Sequence, residues 1–130
     1  PGETDTDFED TYNLCERIGF ANMHIFPYSK RPGTSAYYFD DHVKPDVKNE
    51  RMNILLDLAK HKEEIFSEAM TEIRHSVLWE KSISLEGQSA WSGLTENYLR
   101  VFSLNQADLY NRITEVSISR DDKGFLWVSG

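Results

Sequence analysis

The second half of the sequence is a succession of short β-like segments, and this feature restricts the fold most. Residues 74–82, 97–104, 112–120 and 124–129 are rich in β-branched and aromatic side chains, with turn signals between them, and a shorter strand is expected before Gly93. Short antiparallel strands expose unpaired edges unless their sheet closes on itself. The sequence therefore predicts a small antiparallel β-barrel, of which the OB-like barrel is the most familiar kind.

Alternation along the second of these segments predicts which side chains share a face. Successive side chains of a strand point to opposite faces, so Tyr98, Arg100 and Phe102 are expected on one side. Leu99 and Val101 are expected on the other side. A tyrosine and an arginine on the same surface could be a ligand contact or only a cross-strand surface pair, and both interpretations remain open.

Residues 5–18 are predicted to form a helix, because apolar side chains recur there at helical spacing. Its N-terminus has the threonine-x-x-acid form of a capping box, and two alternatives are open. In one, Thr4 pairs with Asp7, and in the other, Thr6 pairs with Glu9.

A strand over residues 20–26 and a second, longer helix complete the predicted first half. The strand is apolar, and Pro27 ends it because proline cannot donate to a ladder. Pro45 suits the first position of a helix of about 25 residues. The predicted architecture is therefore α+β, with a helix–strand–helix region at residues 1–70 and the barrel at residues 71–130.

A basic turn follows the predicted strand. Lys30 and Arg31 precede a Pro-Gly pair, which favours a turn. Loops beside strand ends often carry ligand-binding groups in α/β scaffolds. The alternative is an ordinary strand followed by a solvated loop.

Composition excludes several classes of function. A net charge of −8 argues against unaided, non-specific nucleic-acid binding, so such a role requires a local patch. Cys15 is the only cysteine, which excludes a disulfide framework and a cysteine-based metal or iron–sulfur site within this chain. The four histidines have no metal-ligand spacing. No apolar run is long enough to cross a bilayer, and a cytoplasmic location is expected.

Four motifs resemble the radical-SAM tRNA methylthiotransferases, and they occur in the order found in that family. They are Pro1-Gly2-Glu3-Thr4, the run from His24-Ile25-Phe26-Pro27-Tyr28-Ser29 through Arg31-Pro32-Gly33-Thr34, Val47-Lys48-Asn49-Glu50-Arg51, and Gly93-Leu94-Thr95-Glu96-Asn97-Tyr98-Leu99-Arg100-Val101. The resemblance covers nearly the whole chain. The His-x-Phe-Pro-Tyr-Ser form is most similar to the branch that methylthiolates threonylcarbamoyl-adenosine beside the tRNA anticodon.

The resemblance implies a fold and a function. The fold would be the last β/α elements of the radical-SAM partial TIM-like barrel with a long helix, followed by the TRAM barrel, as a C-terminal fragment of a longer protein. The parent enzyme would use S-adenosylmethionine and 4Fe–4S clusters and would act on tRNA. The family's three-cysteine motif is absent from this chain, so the fragment is expected to be inactive and to bind neither cofactor. No membrane partner is expected. The truncated radical-SAM barrel is expected to self-associate. The alternative is a non-catalytic β-barrel that binds RNA or protein.

The resemblance also implies site residues, none of them catalytic and none of them metal ligands. Gly2 and Glu3 would lie at the rim of the S-adenosylmethionine pocket. Ile25 and Phe26, on the last barrel strand, could contact the adenine or the sugar. The RNA-contact residues would be Lys30, Arg31, Thr34, Asn97, Tyr98 and Arg100. Arg31 and Thr34 would face substrate or lock their turn, and Glu3 could instead be an ordinary first-turn acid.

Overall fold

The computed structural model describes residues 1–129, and the chain divides into two compact units. The first unit is Pro1–Phe66, and the second begins at Ser67. The helices are α1 (Asp5–Arg17), a 3-10 turn (Ser35–Tyr38) and α2 (Pro45–Ala69). The strands are β1 (Arg74–Leu85), β2 (Gln88–Thr95), β3 (Arg100–Ser103), β4 (Ile113–Arg120) and β5 (Leu126–Ser129). The predicted α+β composition is confirmed.

The first of the two proposed capping boxes starts α1. The Asp7 amide donates to Thr4 Oγ1 at 3.2 Å, and the Thr4 amide donates to Asp7 Oδ2 at 2.8 Å. The hydrogen bonds from the Thr4 side chain and backbone hold the pKa of Asp7 below its usual range. These bonds satisfy donors that a helix N-terminus would otherwise leave unpaired.

The predicted strand at residues 20–26 is wrong, because this segment is irregular. Among the described residues, the first unit contains no strand, so an extended segment there has no partner for its backbone groups. The alternating pattern of exposure nevertheless persists. Ala21, Met23 and Ile25 are half-buried, whereas the residues between them are exposed. The alternation of half-buried and exposed side chains therefore indicates an extended backbone here, although the segment belongs to no sheet.

The long helix α2 begins at Pro45 and contains 25 residues, as predicted. Leu58 and Ala59 are buried on it, whereas Ile54 and Ile65 are exposed. The helix therefore buries only part of its apolar surface in this chain.

The second unit is a closed five-stranded barrel in the order β1-β2-β3-β5-β4. Four of its pairings are antiparallel, and the pairing of β3 with β5 is parallel. The prediction of an antiparallel barrel therefore holds for every pairing except β3 with β5. Closure leaves each strand with two neighbours, which removes the exposed edges that short strands would otherwise have.

The barrel core depends on a glycine opposite a tryptophan. Trp79 is 1 % exposed, and it pairs in register with Gly93 of β2. A Cβ at position 93 would lie 2.6 Å from Val77 Cγ1 and 2.7 Å from the Leu78 carbonyl oxygen. The indole Nε1 of Trp79 donates to Thr114 Oγ1 at 2.8 Å, so the polar edge of the ring has a partner.

The predicted strand at residues 97–104 is longer than β3, and its predicted faces are partly wrong. Tyr98 lies in the turn before β3 with φ of 65°, so it does not alternate with the strand. Phe102 is buried, as is its neighbour Val101. The outer side of β3 is covered locally, because Phe125 and Trp127 pack on the Phe102 ring at centroid distances of 5.7 and 5.5 Å.

Candidate functional sites

The first unit contains a pocket of about 240 Å³ that brings together three of the four predicted cofactor-binding residues. Glu3, Ile25 and Phe26 all line it. The pocket wall is largely apolar, and its charged groups besides Glu3 are Lys48 and Arg51 of α2. An apolar wall with a few convergent polar groups is typical of small-molecule sites.

Gly2, the fourth predicted residue, forms the turn that leads into this pocket. Its φ is 77°, and its amide donates to the Asp41 carbonyl oxygen at 2.8 Å. A Cβ at this position would lie 2.6 Å from Asp41 Oδ2. Only glycine adopts this backbone geometry so close to another segment without strain.

Arg51 fixes the loop that carries Glu3, and it was not assigned a role from the sequence. Its side chain is 10 % exposed and donates to Glu3 Oε2 at 2.5 Å and to Asp5 Oδ1 at 2.6 Å. The guanidinium also lies over the Phe8 ring, 5.4 Å from its centroid. The hydrogen bond to Asp5, and after it those to Glu3, raises the pKa of Arg51 against the opposing effect of burial. The sequence did contain a signal for this contact. Glu3 and Asp5 have no basic residue near them in sequence, which could have indicated a cation from a distant segment.

A second cation supports the other wall of the pocket. Lys48 Nζ donates to the Tyr28 carbonyl oxygen at 3.1 Å. The Tyr28 ring stacks on His42 with centroids 5.8 Å apart. His42 Nε2 is buried and has no hydrogen-bond partner among the described residues. Lys48 and Arg51 of α2 therefore both hold irregular backbone in place, through the carbonyl oxygens of Tyr28 and Glu3.

The basic turn of the first unit contains the predicted residues Lys30, Arg31 and Thr34. Thr34 Oγ1 donates to the Arg31 carbonyl oxygen at 2.9 Å, so this threonine locks the turn. Lys30 Nζ lies 6.0 Å from the centroid of the Tyr37 ring. The Arg31 guanidinium is exposed and has no ion pair within residues 1–129. It is therefore free to meet an anion.

The β2–β3 turn of the barrel holds the other predicted RNA-contact residues. Thr95 organises it: its Oγ1 donates to Asn97 Oδ1 at 2.5 Å and accepts from the Leu99 amide at 2.9 Å.

Tyr98 is 84 % exposed and has a left-handed backbone conformation, which is costly for an aromatic residue. Arg100 forms an ion pair with Glu80 and donates to Ser92 Oγ at 3.3 Å. Its charge is thus partly compensated, whereas the Tyr98 ring is open to a ligand.

A buried histidine anchors this turn to β1, which sequence reasoning missed. His75 is 1 % exposed, with Nε2 at 2.9 Å from the Met70 carbonyl oxygen and Nδ1 at 3.0 Å from Glu96 Oε1. The carbonyl and the carboxylate are both hydrogen-bond acceptors, so each ring nitrogen of His75 faces an acceptor. The Ser76 amide also donates to Glu96, at 2.9 Å. A hydrogen bond from its own amide, and then those from His75 and Ser76, lowers the pKa of Glu96 against the effect of burial.

Residues 1–129 contain no group of three or more histidine, cysteine or acidic side chains arranged to hold a metal ion. Neither helix within that range has the length and apolar character needed to cross a membrane.

Comparison with known proteins gives a consistent set of relatives, although no protein-family model matches the chain. The chain is 35 % identical over 119 residues to threonylcarbamoyladenosine tRNA methylthiotransferase MtaB of Bacillus subtilis, which covers 91 % of this chain and 26 % of that protein. It is 35 % identical over 126 residues to tRNA-2-methylthio-N(6)-dimethylallyladenosine synthase of Maricaulis maris, covering 97 % of this chain and 27 % of that protein. The protein of that name from Bdellovibrio bacteriovorus is 50 % identical over 58 residues, 45 % of this chain and 13 % of its own length.

These relatives confirm the resemblance drawn from the four motifs. The chain spans about a quarter of the length of the two relatives that match it most extensively. Two of these relatives match nearly all of the chain, across both of its units. The chain is therefore homologous to a portion of the tRNA methylthiotransferases.

Proposed function

We propose that this chain is part of a radical-SAM enzyme that methylthiolates an adenosine derivative beside the tRNA anticodon. The similarity to MtaB over 91 % of the chain carries the proposal. The His24–Ser29 form favours a threonylcarbamoyl-adenosine substrate, although the dimethylallyladenosine synthases match to the same extent. The enzyme would act in the cytoplasm, where tRNA is modified.

The first unit would form the end of the radical-SAM barrel and one wall of its S-adenosylmethionine site. The pocket fits the adenosyl part of that molecule, because Ile25 and Phe26 offer an apolar surface to a base and the Glu3 carboxylate can accept from ribose hydroxyls. S-adenosylmethionine would supply the radical and the methyl group when it is bound in the whole enzyme. Arg51 would keep Glu3 in place while the ligand exchanges.

The iron–sulfur clusters of the enzyme would be held outside this chain. A 4Fe–4S cluster uses several thiolates, and Cys15 is a single thiol. The chain by itself would neither bind a cluster nor cleave S-adenosylmethionine. A stoichiometric cluster absorbance after anaerobic reconstitution of the 130-residue chain would contradict this part of the proposal.

The barrel would be an OB-like TRAM domain that binds tRNA through its β2–β3 turn. Tyr98 supports this role, because an exposed aromatic ring held in a strained conformation is a ready platform for a base. Arg100 would add a phosphate contact when it leaves Glu80, and Asn97 lies in the same turn. Residues 71–130 carry eight acidic and six basic side chains, so the affinity of the barrel would be modest.

A tRNA titration of the 130-residue chain tests the barrel's role. Tyr98→Ala should weaken binding about tenfold, since stacking contributes about 1–3 kcal/mol per base. Tyr110→Ala is the matched control, because Tyr110 is also exposed in the second unit and has no proposed RNA contact. If Tyr98→Ala remains folded and binds as the parent does, the RNA-binding surface lies elsewhere, and Lys30 and Arg31 become the next candidates.

A further inference from the structure

The barrel has a groove of about 450 Å³ at the end where β1 turns into β2. It lies between that hairpin and the segment after β3, and the residues that line it are all uncharged. Its lining includes three side-chain amides, those of Gln88, Asn105 and Gln106, together with the indole of Trp91. This set differs from the charged and partly paired surface around Arg100.

The walls of the groove are held by hydrogen bonds. Trp91 Nε1 donates to the Ala107 carbonyl oxygen at 2.9 Å, which fixes the indole against the segment after β3. Asn105 Oδ1 accepts from the Ala107 amide at 2.9 Å, and the Asn105 amide donates to Ser103 Oγ at 3.2 Å. The segment is thus closed into a compact turn, and the position of the ring does not depend on a ligand.

Two amides at the groove have unused hydrogen-bonding capacity. The side chains of Gln88 and Gln106 have no hydrogen bond to any other residue that the structure describes, and both are exposed. Each amide offers a carbonyl oxygen and two N–H donors. Glutamine and asparagine amides match the paired donor and acceptor of a base edge, whereas a phosphate would require a cation.

The position of the groove within the barrel supports the same ligand. In OB-like barrels, oligonucleotides bind across strands 2 and 3 and the loops between strands 1 and 2 and strands 4 and 5. Here Gln88 begins β2, and the two loops are joined by an ion pair between Glu86 and Lys123. The β2–β3 turn with Tyr98 lies at the other end of β2, roughly 20 Å away along the strand.

We infer that this groove binds one unpaired base of an RNA strand, with the base edge on Gln88 and Gln106 and the ring against Trp91. The inference rests on the proposed RNA binding of the barrel and adds a second, uncharged base site to it. Recognition there is by hydrogen bonds and stacking, so its contribution depends little on salt.

Nuclear magnetic resonance of the ¹⁵N-labelled 130-residue chain tests the inference. The probes are five-nucleotide oligoribonucleotides of uridine, cytidine, adenosine and guanosine, and maltopentaose serves as an oligosaccharide control. The indole N–H signal of Trp91 is assigned by comparison with Trp79→Phe and Trp127→Phe. At least one oligonucleotide should shift that signal and the side-chain amide signals of Gln88 and Gln106 in a saturable way.

A variant pair then measures the contribution of the amides. Gln88→Ala with Gln106→Ala should weaken oligonucleotide binding about tenfold, because the double variant removes the amides that would pair with the base edge. Asn53→Ala, which removes an exposed amide from α2, should leave the affinity unchanged. Equal affinity of the double variant and the parent overturns the inference.

The remaining outcomes separate this inference from the proposed function. If the oligonucleotides shift the backbone signals of Tyr98 and Arg100 but not Trp91, the groove is not a base site and the proposed RNA binding stands. If no oligonucleotide shifts any signal at millimolar concentration, the groove inference fails, and the tRNA titration of Tyr98→Ala decides the proposed function independently. If maltopentaose shifts Trp91 as strongly as RNA does, the assignment of the groove to a nucleobase is overturned.

Discussion

The two units of this chain bury their apolar side chains to different extents. Of the eleven apolar residues that are buried within residues 1–129, nine lie in the barrel unit and only Leu58 and Ala59 lie in the first unit. Helix α1 has no buried residue at all. The first unit also exposes large rings, with Phe26 83 % and Tyr38 74 % accessible. The barrel unit therefore encloses an apolar core of its own, whereas the helical unit buries few of its apolar side chains.

The difference follows from how the two kinds of element satisfy their backbones. A closed sheet pairs every strand with two neighbours and encloses its own core. A helix satisfies its backbone alone but must bury its apolar stripe against another layer. In the first unit, ion pairs such as those from Arg51 hold irregular segments where a layer of strands would otherwise pack.

The largest expected difference between the units is in hydrogen exchange. Amides of the β1–β2 ladder should exchange at least about a thousandfold more slowly than those of residues 18–34, because the ladder opens only with the barrel core. Measurement at two protein concentrations provides the control. Protection of the first unit that rises with concentration would indicate self-association, and equal protection of both regions in a dilute monomer would contradict the comparison.

A glycine in each unit provides the next test. Gly93→Ala should destabilise the barrel by about 3 kcal/mol, because the new methyl group has no room beside Val77 and Trp79. Gly19→Ala should change stability by no more than about 0.5 kcal/mol, since no atom lies within contact distance of a Cβ there. Thermal unfolding followed by tryptophan fluorescence measures the first effect, because all three tryptophans lie in the barrel unit, and unfolding followed by the helical circular dichroism signal measures the second. Tolerance of alanine at position 93 would mean that β1 and β2 are less tightly packed than described.

The stability of the barrel should depend on pH through Glu96. The pKa of this carboxyl is lowered from its ordinary value of 4.5 in the folded state, so its stabilising contribution is complete above that value. The contribution is lost as the pH falls through the lower pKa of the folded state. In urea unfolding between pH 3 and pH 7, Glu96→Gln should remove this part of the pH dependence. Glu115→Gln, a change to an exposed acid on β4, should retain it.

The smallest expected effect separates RNA contacts in the barrel from those in the first unit. Arg100→Ala should reduce the salt dependence of tRNA binding by about one in slope, with a smaller loss of affinity than Tyr98→Ala, because Glu80 already compensates the charge. A Lys30→Ala and Arg31→Ala double variant makes the same measurement in the first unit. If only the double variant reduces the slope, the phosphate contacts belong to the first unit.

Local sequence signals correctly predicted the helix starts, because these depend on interactions between residues that are close in sequence. The capping box at Thr4 and Asp7 starts α1, and Pro45 starts α2 at the expected residue. The segment at residues 20–26 had the composition of a strand but not the neighbouring strand that a sheet requires. Composition can favour an extended backbone, whereas a strand also needs a partner from elsewhere in the chain.

The sequence by itself determined the helix starts, the closed barrel and the grouping of Glu3, Ile25 and Phe26 through family motifs. Only the tertiary structure decided the position of Tyr98 in a turn, the burial of Phe102 and the ion pairs made by Arg51. The helix starts depend on propensities and caps between near neighbours in the chain, whereas the barrel and the grouping were predicted from the strand pattern and the family motifs. The features decided by the tertiary structure depend on contacts between residues as many as 48 positions apart, whose pairing is set by barrel closure and helix packing.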